Sequence, residues 1–240
     1  MIVLKTLKVM GSGSSGNCYS LKVDNEILIL DAGYPYKDIL RFIDYDIGNV
    51  VGCLVTHEHK DHSKAVKDLL KNSIDVYSSK ETFEELGIKH HRARSVRPLE
   101  SFAVGGYTII PFDVEHDAVN PLGYFIHHVK MGTLLYITDT YFVKYKFKAN
   151  YMLLECNYCK KIINETLADK LFLRNRIVRS HFELSNVIDF LKANDLSELK
   201  MLMLIHLSGG NSDKDYFKEE VAKQTGQYAR IAEKNTVIYL

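Results

Sequence analysis

A layered α/β fold is predicted by three features of this 240-residue sequence. The first half is rich in strands, the second half alternates strands with helical segments, and there are helices enough to cover the outsides of two sheets. A chain of this length buries one substantial core, so a single domain over residues 1–240 is expected. The 46% hydrophobic and 25% charged content excludes extended disorder and membrane-spanning runs.

Residues 2–10 alternate apolar with polar as a half-buried strand does, and the small residues at 11–17 follow as a tight turn. Strands at 18–23 and 27–30 continue an antiparallel meander. β-branched and aromatic content places further strands at 53–56, 107–114, 123–129, 133–138, 152–155, 201–206 and 236–239. Helices are expected at 37–44, 63–70, 80–86, 183–192 and 213–224. The fourth carries Leu184, Val187, Ile188 and Leu191 on one stripe. Asn211 or Ser212 is expected to cap the last, and Gly226 to end it. Residues 70–107 have weak periodicity. No repeat, low-complexity tract or linker interrupts the chain.

The formal net charge is only +1, so no whole-molecule field attracts a polyanion. Attraction must come from local runs. Nine lysines and arginines between 144 and 179 face only Glu155, Glu165 and Asp169 in the sequence, and Lys89, His90, His91, Arg92, Arg94 and Arg97 form a second run. Cys18, Cys53, Cys156 and Cys159 are too few and too scattered for a disulfide framework, which fits a reducing compartment. Lysines interrupt the apolar start, so it reads as a strand and not as a signal peptide, and a cytoplasmic location is expected. Cys156 and Cys159 have no second pair to complete a zinc site and are expected to pack at a strand end. His127 and His128 fall on opposite faces of a strand and are expected to be structural.

The run Val55-Thr56-His57-Glu58-His59-Lys60-Asp61-His62 leaves an apolar strand and enters a helix, placing three imidazoles and a carboxylate within six residues. A loop at a strand end turns successive side chains toward one point, and these nitrogen and oxygen donors suit divalent cations. With no cysteine in the cluster, a catalytic site with open coordination positions is favoured over a structural zinc knot.

His57-x-His59-x-Asp61-His62 resembles the signature of the metallo-β-lactamase superfamily. Further motifs follow in order: Leu28-Ile29-Leu30-Asp31-Ala32-Gly33, His116 followed by Gly123-Tyr124, Asp139 in Ile137-Thr138-Asp139-Thr140, and His206 in Leu204-Ile205-His206-Leu207-Ser208. The resemblance implies a four-layer αββα sandwich of two mixed sheets flanked by helices. It also implies two divalent ions, zinc or manganese with iron possible. One would lie on His57, His59 and His116, the second on Asp61, His62 and His206, with Asp139 bridging. Such a pair shares a water, lowers its pKa toward neutrality and so provides a nucleophilic hydroxide. By the same resemblance Asp61, Asp139 and His181 are catalytic. His181, in Ser180-His181-Phe182-Glu183-Leu184-Ser185-Asn186, is similar to the extra histidine that nuclease branches bring to the scissile phosphate, where it bonds an oxygen or protonates the leaving group.

Within the superfamily, Gly11-Ser12-Gly13-Ser14-Ser15-Gly16-Asn17-Cys18 and Glu155-Cys156-Asn157 resemble small bacterial and phage single-domain nucleases that act on DNA. Tyr158, where those proteins often have His, and the longer segment from His181 depart from their pattern. Only 66 residues separate Asp139 from His206, too few for a large inserted domain. A phosphodiesterase acting on DNA is therefore expected, with no membrane partner. The donor set also admits a hydrolase of small esters, lactones or thioesters, and a non-catalytic binding module that keeps the metal for stability.

Overall fold

The computed structural model describes residues 4–240. Residues 2 and 3 of the expected first strand lie outside the described residues. In chain order the strands are β1 (Lys5–Gly11), β2 (Cys18–Val23), β3 (Glu26–Leu30), β4 (Val50–Leu54), β5 (Val76–Ser78), β6 (Ala93–Ser95), β7 (Phe102–Val104), β8 (Tyr107–Asp113), β9 (Leu122–His128), β10 (Gly132–Ile137), β11 (Tyr151–Glu155), β12 (Met201–Ile205), β13 (Ala229–Ile231) and β14 (Val237–Tyr239). The helices are α1 (Tyr36–Phe42), α2 (Lys60–Ser63), α3 (Val66–Lys71), α4 (Lys80–Glu85), α5 (Lys160–Thr166), α6 (Leu171–Ser180), α7 (Leu184–Ala193) and α8 (Lys214–Thr225). Among the described residues two seven-stranded sheets form, in the orders β14-β1-β2-β3-β4-β5-β6 and β13-β12-β11-β10-β9-β8-β7. Both mix parallel and antiparallel pairs. The expected pair of mixed sheets with flanking helices is borne out.

The chain divides into two compact units. The first contains the stretch ending at Phe112, Ala118–Gly132 and Glu233–Leu240. Its strand β3 is buried along most of its length, and period-two alternation sorts the side chains. Ile27 and Ile29 join Cys53, Val55, Ile39, Val66, Leu69, Val76 and Phe83 in one cluster under α1, α3 and α4. Leu28 and Leu30 point the other way and are equally buried. The facing strands β8 and β9 are tied on by phenols: Tyr107 Oη donates to the Leu21 carbonyl at 3.2 Å and Tyr124 Oη to the Val55 carbonyl at 2.7 Å.

The second unit contains Asp113–Asp117 and Thr133–Ala232. Strands β10 to β13 are parallel. β11 and β12 are buried at every position, which is why Tyr-Met-Leu-Leu and Met-Leu-Met-Leu-Ile read as unbroken apolar runs. α7 buries Leu184, Val187, Ile188, Phe190 and Leu191, the stripe expected from its spacing plus Phe190.

Four local expectations change. The helix expected at 63–70 is two helices, because Ala65 N–H leaves the helical pattern to donate to the Ala32 carbonyl at 2.9 Å. α8 is capped by Asp213, whose carboxylate accepts from Asp215 and Tyr216 N–H, while Asn211 bonds Ser208 and Thr166 instead. Gly226 ends that helix in the left-handed region at φ 72°, as expected. α5 and α6 had no sequence forecast, since α6 buries only Ser180 and so has no apolar stripe to read. β8 stops at Asp113, so His116 sits in the following loop and not at a strand end.

Among the described residues no helix is long and apolar enough to cross a membrane. All four cysteines are buried and unpaired as disulfides, and burial raises the thiol pKa of Cys18, Cys53 and Cys156, so they stay protonated and pack, as expected of Cys156. His127 is exposed and His128 buried, on the opposite faces foreseen.

Candidate metal centre

In the first unit the histidine run starts where β4 ends. Its backbone presses on the turn before β2 and on the segment after β3: Asn17 N–H donates to the Asp61 carbonyl at 2.7 Å and Ala32 N–H to the His62 carbonyl at 2.7 Å. A Cβ on Gly33 would lie 1.8 Å from the Asp61 carbonyl oxygen, so only glycine admits this approach.

Asp31 is fully buried in the left-handed region at φ 56°. Its carboxylate accepts from Thr56 N–H at 2.8 Å, from the Thr56 hydroxyl at 3.0 Å and from His62 Nδ1–H at 2.7 Å. Since a carboxylate accepts and the Thr56 hydroxyl is spent donating to it, His57 Nδ1–H donates to Thr56 Oγ1 at 3.0 Å. Both rings thus hold their proton on Nδ1 and leave Nε2 with its lone pair, the arrangement that metal-binding histidines adopt. His57 Nε2 lies 3.1 Å from His59 Nδ1, and His62 Nε2 lies 3.5 Å from Asp61 Oδ2 and 2.9 Å from Asn17 Nδ2. The structure therefore gathers His57, His59, Asp61 and His62 into one patch.

The second unit gathers His116, Asp139, His181 and His206. Asp139, two residues past β10, has φ 44° and His206, directly after β12, has φ 53°, so the chain enters the left-handed region just beyond both of these parallel-sheet strands. His116 Nδ1–H donates to the Ser180 carbonyl at 2.7 Å, which leaves Nε2 3.2 Å from Asp117 Oδ1 and 3.7 Å from Asp139 Oδ2. Burial lowers the His116 pKa in spite of the Asp139 charge. A neutral imidazole there sets a nitrogen lone pair against carboxylate oxygens.

Glu155, absent from the ligand set the motifs supply, is the hub of this unit. It is fully buried and accepts from Thr140 N–H at 2.8 Å, Phe182 N–H at 3.1 Å, His181 Nδ1–H at 2.7 Å and His206 Nδ1–H at 3.0 Å. Burial works to raise its pKa, yet the His181 charge and the bonds from His181 and His206 hold it below the ordinary value. Burial likewise pulls His181 down, but Glu155's charge and hydrogen bond, helped by Asp139, lift it above the ordinary value. The donor atoms of Asp139, Glu155, His181 and His206 all lie within 4.8 Å of one another. The sequence signals for Glu155 were the Glu155-Cys156-Asn157 resemblance, which assigned it no role, and an acidic residue closing an otherwise apolar strand.

These donors fit a divalent cation. Imidazole nitrogens and carboxylate oxygens converge, their far atoms held by protein acceptors, and acceptor faces acceptor at His116 and Asp139 unless a positive charge intervenes.

The model of the beta-lactamase superfamily domain matches residues 39–206. The chain belongs to that superfamily. Members similar to it include exodeoxyribonuclease YycJ of Bacillus anthracis, 28% identical over 234 residues spanning 90% of this chain and 87% of the relative. Exodeoxyribonuclease WalJ of Streptococcus pneumoniae is 29% identical over 239 residues, spanning 91% and 87%. Among solved structures, the metallo-beta-lactamase fold protein YhfI from Bacillus subtilis matches with a TM-score of 0.77 at 16% identity over 100% of both chains, a likeness of fold. The superfamily, the fold and the clustered donors together give this chain a divalent-metal chemistry.

The basic runs are less open than the sequence implied. Lys144 pairs with Asp113, Lys148 with Asp195 and Glu198, and Arg176 with Asp117. Arg92 and Arg94 share Asp75. Carboxylates distant in sequence thus neutralise part of each run.

Proposed function

We propose that the chain is a metal-dependent nuclease that degrades DNA from an end, with DNA preferred to RNA. The observation that carries this reading is the Glu155–His181 pair beside Asp139 and His206. A hydrolase of neutral small esters has no need of a half-buried imidazole whose proton a buried carboxylate favours beside its metal donors, whereas a phosphodiester supplies an anionic oxygen and an alkoxide leaving group for it. The relatives named exodeoxyribonucleases support the same substrate.

In this reading His57, His59 and His116 would hold one ion and Asp61, His62 and His206 another, with Asp139 a ligand available to either. Zinc or manganese fits these donors. Divalent cations at such donors acidify water and neutralise charge on phosphate oxygens. The protein's own groups do the rest. Asp31 and Thr56 fix the imidazoles of His57 and His62 in one tautomer. Asp61 and Asp139 orient water and phosphate. Glu155 keeps a proton on His181, and His181 delivers it from Nε2 to the leaving oxygen. The two units work as one metallo-hydrolase domain over residues 1–240, and the four reduced, buried cysteines support a cytoplasmic setting.

Incubating purified protein with end-labelled single-stranded and duplex DNA and RNA, with zinc, manganese or magnesium in turn, tests the proposal. Stepwise shortening of DNA is expected. Protein that binds metal yet leaves every oligonucleotide intact overturns it.

A further inference from the structure

A cavity of about 430 Å³ in the second unit is not used by the metal donors. Its size is that of a small-ligand site. One wall is Tyr141 and Phe142, which are 41% and 53% exposed and follow Asp139 by two and three residues. Thr140 sets their direction: its hydroxyl donates to the Phe142 carbonyl at 2.7 Å and accepts from Phe142 N–H at 3.2 Å and Glu115 N–H at 3.0 Å.

The floor is aromatic as well. Phe182, the residue after His181, meets Phe190 edge to face with ring centroids 6.0 Å apart. The third wall is one face of α7, where Asn186, Asp189, Phe190 and Ala193 recur at helical spacing. Ala193 is small and leaves the space open. Asn186 offers a donor and an acceptor, Asp189 two acceptor oxygens, and both are exposed. At the rim Lys144 is tied to Asp113 at 3.1 Å, while exposed Lys146 presents a cation.

Exposed aromatic faces, a few polar groups at the edges and a lysine rim suit a flat heterocycle attached to an anionic backbone. The cavity walls continue directly from Asp139 and from His181, so such a ring would belong to a nucleotide next to the bond being cut. We propose that this cavity is a nucleobase subsite, in which a base of the cleaved strand stacks on Phe142. Asn186 and Asp189 bond the base edge and Lys146 meets the adjoining phosphate. The proposal rests on the nuclease reading given above.

The test compares metal-loaded wild type with Phe142→Ala on single-stranded oligonucleotides that are intact or carry one abasic nucleotide at successive positions flanking the cut. Bis(4-nitrophenyl) phosphate serves as a substrate without a base. At one position the abasic lesion is expected to raise the wild-type KM about fivefold or more, the scale of one base stacked on an aromatic ring. Phe142→Ala should raise the KM for intact strands by a similar factor, erase the abasic penalty and leave the KM of the strand that is abasic at that position unchanged. Phe142→Tyr should restore binding, and Asn186→Ala, on an exposed helix face, should give a smaller loss at the same position. Equal losses for intact and abasic strands, or no base-dependent position at all, overturn the subsite while the nuclease reading stands. Turnover of the nitrophenyl ester without cleavage of any oligonucleotide overturns both.

Discussion

His181 donates its Nδ1 proton to Glu155 Oε1 at 2.7 Å, and the same carboxylate oxygen receives His206 Nδ1–H at 3.0 Å. One buried carboxylate thus orients a proposed metal-holding imidazole and the proposed acid together.

Glu155→Gln keeps the size and one acceptor but removes the charge that sustains the His181 proton. Activity on DNA is expected to fall about 10- to 100-fold, as for other groups supporting metal-bound histidines. Because the acid loses its proton more readily, the alkaline limb of the kcat profile should move to lower pH. A kcat–pH profile of both proteins checks this, and an unmoved limb would separate His181 from the proton transfer.

The pair also makes a stability statement, testable on chelator-treated protein. His181 is raised above 6.5, so its contribution is complete below that value and disappears as pH rises through the folded-state pKa. Glu155 is lowered below 4.5, so its contribution is complete above that value and disappears as pH falls through the folded-state pKa. The joint contribution is therefore greatest between about pH 4.5 and 6.5. Urea denaturation at a series of pH values should show the gap between wild type and His181→Gln widest in that window and narrowing on both sides.

Asp31→Asn replaces one acceptor oxygen with an amide, which faces His62 Nδ1–H donor to donor. The ring then shifts its proton to Nε2, where a lone pair is wanted. Metal affinity is expected to drop about 10- to 100-fold. Competition against a chromophoric chelator, with zinc and then manganese, measures it. Undiminished affinity would remove Asp31 from the support of the site.

Gly33→Ala forces a methyl group against the Asp61 carbonyl. The clash is with backbone, so either the histidine run or the segment after β3 must move, at a cost of about 3 kcal/mol. A lowered urea midpoint accompanied by weaker metal binding is expected. As a control for glycine loss in general, Gly226→Ala should cost only about 1 kcal/mol, through its positive φ, and leave metal binding intact.

The ligand run was legible because four donors fall within six consecutive positions, and His116, Asp139 and His206 because their motifs follow in the order that the superfamily resemblance implies. The buried strands and the α7 stripe were legible through period. Other features leave no such trace. α6 turns nearly every residue outward, so its sequence has no amphipathic signal. β5, β6 and β7 are three residues each, too short for alternation to register. The true cap of α8 was hidden among three adjacent residues all able to cap, and the choice fell to the one whose oxygen reached two N–H groups.

By itself the sequence determined which residue types can bind a divalent ion, which segments must be buried and the α/β alternation, because these follow from side-chain chemistry and from local period. Only tertiary structure decided the roles of Glu155 and Thr56 and where the lysines find partners. Those depend on which distant strands end side by side. A carboxylate at the end of an apolar strand becomes a hub only when parallel strands bring Thr140 and His206, and the end of α6 brings His181, to its two oxygens, and nothing in the local sequence encodes that meeting.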